Sequence, residues 1–437
     1  MSKLFMAFLG TYDYLTCNYK YNNKQKVQNV RFIQEALISL FCKGWTSRDS
    51  VVIFLTKEAK ERNWQDNGHL DKDGKPLLRD GLERRLKVLE LPMTIFSIDI
   101  PNGNSEKEIW KIFEIIFEQI QEHDEILFDI THAFRSIPML AMIILNYAKV
   151  MKNIQILGIY YGAFEVLGSI QEVIKKKLED RNAPIFNLTS FMVMLDWTNT
   201  LDYFLISGDA SRILDRIRRD ITPILTETYG TDESAVNLQK FSNKLNYLTE
   251  IIRTCRGTSL IEYDYNEMHN YIEMNQASII KPLNPLLEKI TVKLKPFKTG
   301  SIQSGYAAVK WCIEHNLIQQ GFTLLQECMI TELISSFLSE KQIIDREARL
   351  LISQALNIKL KKMPETEWKD PASSHKEEIQ RILNELDDEF SAIFSTIRDY
   401  RNDLNHAGFT NQPLKPKKFK DQLINCYEKL KELKKDK

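Results

Sequence analysis

What most limits the folds open to this chain is an alternation running from Lys3 to Tyr160. Short apolar runs at Lys3–Leu9, Val51–Leu55, Thr94–Ile98, Ile126–Ile130 and Ile154–Tyr160 have the length and β-branched content of buried strands. Between them lie segments of helical period. Val30, Ile33, Leu37, Leu40 and Phe41 recur at helical spacing until Gly44 stops the run. Ser105 and Glu108 make a capping box before Ile109, Ile112, Phe113, Ile116, Phe117 and Ile120. Strands joined through helices build a parallel sheet, and ligands of such sheets sit at the carboxyl ends of the strands. The charged segment Thr56–Leu91, with an Asp73-Gly74 hairpin signal, reads as a surface insertion.

One unit of this alternation stands out. Glu125–Leu140 reads as strand, polar turn (Thr131-His132-Ala133-Phe134-Arg135) and helix, with Ser136 placed to cap and Pro138 in the first turn. That arrangement offers backbone N–H groups, hydroxyls and an Arg to an anion. The glycines of a Rossmann or Walker loop are missing. Chemistry alone therefore leaves two readings, an anion or nucleotide site and a merely capped helix. The hydroxyl-rich loop Gly10-Thr11-Tyr12-Asp13 also leaves the carboxyl end of a strand, so the two loops can share one pocket.

Beyond about Arg181 strand-like runs become rare and helical spacing dominates. Glycines and prolines cluster between Lys281 and Gly305, a boundary signal. Three regions follow: 1–180, 181–300 and 301–437. Ile379, Leu383, Leu386, Phe390, Ile393, Ile397, Tyr400 and Leu404 keep a 4-3 spacing, which predicts one long helix with a narrow seam seeking a partner in the same chain or a second one. Lys415–Lys437 holds nine lysines against four acids, a solvated helix face or a contact to RNA phosphates.

At 437 residues the chain exceeds one core, and its 59 basic and 59 acidic residues balance. Any nucleic-acid contact must therefore be local. The six cysteines are scattered without a C-x-x-C pair, as expected of reduced thiols in the cytoplasm. No signal peptide or membrane-spanning run is visible, no metal-ligand pattern is complete, and no cofactor motif is present.

The strongest catalytic candidates close the long seam, in Arg401-Asn402-Asp403-Leu404-Asn405-His406. An Arg binds phosphate bidentately and a His moves protons near neutral pH. RNA brings its own nucleophile, the 2′-hydroxyl, so such a pair can cleave it without metal. Five residues at about 100° each set Arg401 and His406 about 140° apart on an ideal helix, which favours two copies about a two-fold axis. Asn402 and Asn405 could orient the pair. The plainer alternative is an Arg paired with Asp399 or Asp403 and a His ending the helix.

Taken together, the two ends resemble the CARF–HEPN ribonucleases of type III CRISPR systems, the Csx/Csm-type accessory nucleases. Asp129-Ile130-Thr131-His132-Ala133-Phe134-Arg135-Ser136 is similar to a D-[IV]-T-H-x-F-R-S signature, with Ala133 where Gly is common. Leu9-Gly10-Thr11 and the Pro184–Thr189 stretch leading to Trp197 support it, and Arg401-Asn402-x-x-x-His406 is similar to R-[NDH]-x-x-x-H. The resemblance implies a Rossmann-like N-terminal sensor, a helical linker and an α-helical nuclease domain. It implies a cyclic oligoadenylate activator, tetra-adenylate before hexa-adenylate, bound across a homodimer axis. The binding residues would be Gly10, Thr11, Tyr12, Thr131, His132, Ala133, Phe134, Arg135 and Ser136. Arg401, His406 and Asn402 would cut single-stranded RNA without metal, leaving a 2′,3′-cyclic phosphate and a 5′-hydroxyl in an antiviral response. Whether the sensor also hydrolyses its ring stays open. Two rivals remain: a non-catalytic regulator whose helical half binds nucleic acid or protein, and a toxin-like nuclease restrained by a partner.

Overall fold

Each of the five expected strands forms, and three more extend the sheet. A computed structural model describes residues 2–22, 24–132, 137–274, 284–339 and 342–434. Its strands are β1 (Lys3–Leu9), β2 (Cys17–Tyr21), β3 (Gln25–Val30), β4 (Ser50–Leu55), β5 (Thr94–Asp99), β6 (Glu125–Asp129), β7 (Gln155–Gly162) and β8 (Asn182–Asn187). They lie in the order β3-β2-β8-β7-β6-β1-β4-β5. The run from β7 to β5 is parallel throughout. β8 pairs antiparallel to β7 and parallel to β2, and β3 closes the edge antiparallel to β2.

The added strands lack the apolar runs that betray a buried parallel strand. β3 reads Gln-Lys-Val-Gln-Asn-Val and is mostly exposed, a charged edge of the kind that resists further pairing. The following helix accordingly begins at Ile33, and Val30 belongs to β3.

Alternation along β1 divides two cores. Phe5, Ala7 and Leu9 face the cluster built with the helix Ile33–Phe41. Leu4, Met6 and Phe8 face that of the helices Glu106–Glu118 and Ile137–Met151. In the second cluster Phe8 lies between the rings of Phe54 and Phe128, with centroids 5.4 and 5.7 Å away. Burying each such side chain is worth about 1.5–3 kcal/mol.

Among the parallel strands, β4 and β5 are laid down outward from one side of β1, and β6 and β7 from the other. The sheet therefore reverses its winding between β1 and β6, the switch point where open α/β sheets leave a crevice. The loops after Leu9 and Asp129 leave this point side by side, because Ala7 is in register with Asp129.

The chain divides into two compact units, Met1–Leu195 and Asp196–Lys437. The second is helical. At its C-terminal end the helix Asp388–Asn405 packs against Ile318–Phe337, Arg346–Lys361 and Lys417–Leu433. The long helix expected from Ile379 to Leu404 is instead two, Lys376–Glu385 and Asp388–Asn405. The break lies at Leu386-Asp387, where the Asp387 carboxylate accepts the N–H groups of Glu389 and Phe390 at 2.7 and 3.1 Å. A local cap thus wins over a continuous seam. The seam's buried members, Ile379, Leu386, Ile393 and Ile397, find neighbours within the same chain.

Candidate functional site

The loop from Gly10 to Tyr14 is held by its carbonyl oxygens. Asn63, fully buried, donates Nδ2–H to the oxygens of Gly10 and Tyr12 at 2.9 and 2.8 Å. Arg31, also buried, donates to the Tyr14 oxygen at 3.2 Å and to the Asp80 oxygen at 2.9 Å. Its remaining nitrogen reaches Asp13 and Asn63 Oδ1, each at 3.3 Å. His69 Nε2 stands 3.0 Å from that same Asn63 oxygen, which can only accept. Arg79 adds a second ion pair to Asp13. Asn63, His69, Arg79 and Asp80 all come from Thr56–Leu91, so the supposed surface insertion is the loop's support. Its Trp64, Leu82 and Leu86 are buried in the core as well. With its carbonyls turned inward and bonded, the loop leaves Tyr12 75% exposed.

Gly10 touches the neighbouring loop. A Cβ there would collide with the Tyr14 hydroxyl and stand 3.4 Å from His132 Cβ. The rings of Tyr14 and His132 lie 4.3 Å apart. Among the described residues, Tyr14 Oη, His132 Nε2 and Gln34 Oε1 are buried with no hydrogen-bond partner. Unsatisfied buried polar atoms are costly, and here three of them gather around one switch point.

Asp129 explains part of this polarity. It is wholly buried, and burial pushes its carboxyl up to about 7 against the lowering effect of its hydrogen bonds. Oδ1 accepts the Thr131 N–H at 2.9 Å and its hydroxyl at 2.5 Å, while Oδ2 accepts Gln34 Nε2–H at 2.9 Å. Gln34 also donates to the Phe8 oxygen at 2.9 Å, tying β6 to β1. The Thr131 hydroxyl in turn accepts the Gly162 N–H at 2.8 Å. That hydroxyl is engaged on both sides and acts as a clamp between β6 and β7. Burial holds His132 neutral, with its pKa down to about 3. Burial, then the nearby Asp129 charge, pushes the Tyr14 phenol up.

Of the expected sensor residues, Gly10, Thr11, Tyr12, Thr131 and His132 sit on these two adjoining loops. Ala133, Phe134, Arg135 and Ser136 lie outside the described residues. The sequence reading passed over Tyr14, Gln34, Asn63 and Asp129 as participants. Asp129 opens the signature without being given a role and Tyr14 follows the first loop, whereas Gln34 and Asn63 carry no local signal, since only the tertiary fold brings them to the loops.

The second candidate site ends the helix Asp388–Asn405. Tyr400 anchors it, its ring 5.5 Å from that of Phe322 and 5.4 Å from that of Phe419. Arg401 follows and makes no ion pair among the described residues. Asp399 pairs with Arg398 at 3.0 Å, and Asp403 accepts the Leu414 N–H at 3.1 Å. Arg401 Nε is buried without a hydrogen-bond partner among the described residues. Its charge is felt by Cys255, where it opposes the rise that burial imposes on the thiol. His406 is exposed at the C-cap, its N–H bonded to the Asn402 oxygen at 2.9 Å. Arg401 and His406 are not hydrogen-bonded to each other. Asn402 is exposed, and Asn405 Oδ1 accepts from Gln319 Nε2 at 3.3 Å. Among the described residues no group of His, Cys, Asp or Glu is placed to hold a metal ion, and no helix is long and apolar enough to cross a membrane.

Comparison with known proteins bears on the first of these sites. Residues 4–165 match the family model for the CARF domain of the CRISPR system endoribonuclease Csx1. The N-terminal unit is CARF-like. The match begins in β1, takes in both loops at the switch point and ends just after β7. The chain is also similar to the CRISPR-associated protein MJ1674 of Methanocaldococcus jannaschii. The two are 24% identical over 242 residues, 54% of this chain and 33% of that relative. The chain therefore spans about a third of the curated relative's length. The α/β unit followed by a helical unit is the architecture that the two sequence halves lead one to expect.

Proposed function

We propose that the protein is a CRISPR-associated endoribonuclease, switched on by a cyclic oligoadenylate at the CARF-like unit. The observation that carries this reading is the CARF match over a switch point lined with buried polar atoms that have no partner among the described residues. A ring of identical nucleotides has even symmetry and suits an isologous dimer, each copy reading half of it. Gly10 lets the first loop close on Tyr14 and His132, the exposed Tyr12 ring offers an adenine a stacking face, and His132 presents a neutral imidazole. Ala133–Ser136 complete the ligand contacts by the family resemblance. Tetra-adenylate is the proposed ring, with hexa-adenylate the alternative. No cofactor takes part.

In the helical unit, Arg401 clamps the scissile phosphate and His406 transfers protons. The 2′-oxygen attacks phosphorus as one His406 takes its proton. The partner subunit's His406 protonates the departing 5′-oxygen, and the two arginines balance the charge on the phosphorane. The P–O5′ bond breaks, leaving a 2′,3′-cyclic phosphate and a 5′-hydroxyl. Asn402 beside them orients the substrate. Two chains supply what one does not, because Arg401 and His406 are not joined within a single copy. Ligand controls this step only by favouring the active arrangement over the idle one.

The test is purified protein with end-labelled single-stranded RNA, with and without synthetic cyclic tetra- and hexa-adenylate. Cleavage that requires a ring supports the proposal. Ring binding without cleavage leaves a non-catalytic regulator, and cleavage indifferent to the ring leaves a nuclease controlled by a partner.

A further inference from the structure

We infer that Phe409 is a base-stacking platform that positions single-stranded RNA at His406. The inference rests on the nuclease reading of the helical unit and adds the residue that would hold the substrate chain there.

The turn after His406 is closed by its own backbone hydrogen bonds. Ala407 and Gly408 are both left-handed, with φ of 52° and 70°, and they end the helix as such residues commonly do. The Ala407 N–H donates to the Leu404 oxygen and the Gly408 N–H to the Asp403 oxygen, each at 3.0 Å. The Phe409 N–H closes back on the His406 oxygen, also at 3.0 Å. The far end of the loop is held where the Asp403 carboxylate accepts the Leu414 N–H. These bonds satisfy the helix end without any help from the Phe409 side chain.

The ring nevertheless stands 91% exposed. An apolar residue after a helix stop usually folds back onto the last turn. Leaving a phenyl ring in water forgoes the gain its burial would bring. From His406 to Lys420 there is no acidic residue, and Lys415, Lys417, Lys418 and Lys420 are all exposed. An exposed aromatic face on a hydrogen-bonded turn beside a local cationic stretch, on a chain of zero net charge, is the composition that grips single strands: lysines follow the phosphates and the ring takes a base. Bases of a duplex are stacked on one another and offer no such face.

The test uses the full-length protein and a fluorescein-labelled, non-cleavable 2′-O-methyl single strand, followed by anisotropy. Phe409→Ala should weaken binding about 5- to 160-fold, the range for loss of one base–aromatic stack. Phe409→Trp should restore it. The slope of log affinity against log salt should stay unchanged, because no charge is removed, whereas Lys417→Ala should make it shallower. A double-stranded competitor should bind both Phe409 variants alike. Unchanged single-strand affinity in Phe409→Ala overturns the inference whatever the cleavage assay gives. Phe409-dependent binding by a wild-type protein that cuts nothing keeps the platform and removes the nuclease reading.

Discussion

Two buried titratable residues, three positions apart, pull the stability of the N-terminal unit in opposite directions. Asp129 rises from an ordinary 3.8 to about 7, so its contribution is full below the unfolded value and is lost as pH climbs to the folded one. His132 falls from 6.5 to about 3, so its contribution is present above the unfolded value and is lost as pH falls. Across roughly pH 4 to 6.5 the folded state keeps the proton of Asp129 while the unfolded state takes up that of His132, and the two slopes offset each other. Asp129→Asn should therefore make the urea midpoint rise with pH over this window relative to wild type. His132→Asn should make it fall. Variants whose profiles run parallel would refute the burial of both groups. At the second site, His406→Ala should lower ring-triggered cleavage by about 10²–10⁴-fold, the usual worth of proton transfer. Arg401→Lys should be nearly as damaging as Ala, since an ammonium lacks the planar fork. EDTA should change nothing, and cleavage that stops with chelator would remove the assignment. The sequence shows these residues by their types and spacing. It does not show that Asp399 and Asp403 have other partners and leave Arg401 without an ion pair among the described residues, because that depends on the positions of Arg398 and Leu414.

Elements reveal where local signals mislead. Thr56–Leu91 is charged along its length, so it reads as an insertion. Yet it folds inward to place Asn63 under the Gly10–Tyr14 loop, and one buried amide holds two of that loop's carbonyl oxygens. Asn63→Ala should leave both oxygens and the Arg31 guanidinium short of a partner, at about 1–3 kcal/mol for an unsatisfied group. It should also weaken ring binding, although residue 63 lies outside the proposed contact set. Calorimetry and a urea titration on the same preparation would show both losses, and an unaltered affinity would mean the loop holds its shape unaided. Of the five parallel strands, β1, β4 and β6 were legible because burial on both faces makes them continuous apolar runs, whereas β5, a mostly exposed edge strand, showed itself only by its short β-branched run. β2, β3 and β8 were not, since edge and mixed strands alternate with polar residues and depend on neighbours distant in sequence. The 4-3 seam misled for a related reason. Spacing alone does not register that Asp387 can cap a new helix, nor that the helices beside Asp388–Asn405 absorb its apolar face.

At the scale of the whole molecule, that absorbed seam shifts the basis for a dimer to the N-terminal unit. The helix Ile137–Met151 carries Met139, Ile143, Tyr147 and Val150 on the side away from the core, all exposed. Their spacing of four, four and three puts them on one stripe. Trp110 is exposed on the helix Glu106–Glu118, and Tyr147 packs its ring 5.7 Å from Phe113 and 5.2 Å from Phe117. Apolar side chains grouped in this way mark an interaction surface more often than scattered ones do. The helix begins five residues after His132 in the chain, so a two-fold contact through it would bring two switch points toward a common axis, as a symmetric ring requires. Light scattering at micromolar protein should then give about twice the 51.1 kDa of one chain. Ile143→Glu should lower that mass to a single chain, because a carboxylate facing its own copy across the axis is both desolvated and repelled. The same variant should lose cleavage in the presence of the ring while its circular dichroism stays unchanged, since residue 143 is exposed and leaves both cores intact. A monomeric Ile143→Glu protein that still cuts RNA on addition of the ring would show that one chain suffices, and the pairing of two His406 side chains would have to be abandoned.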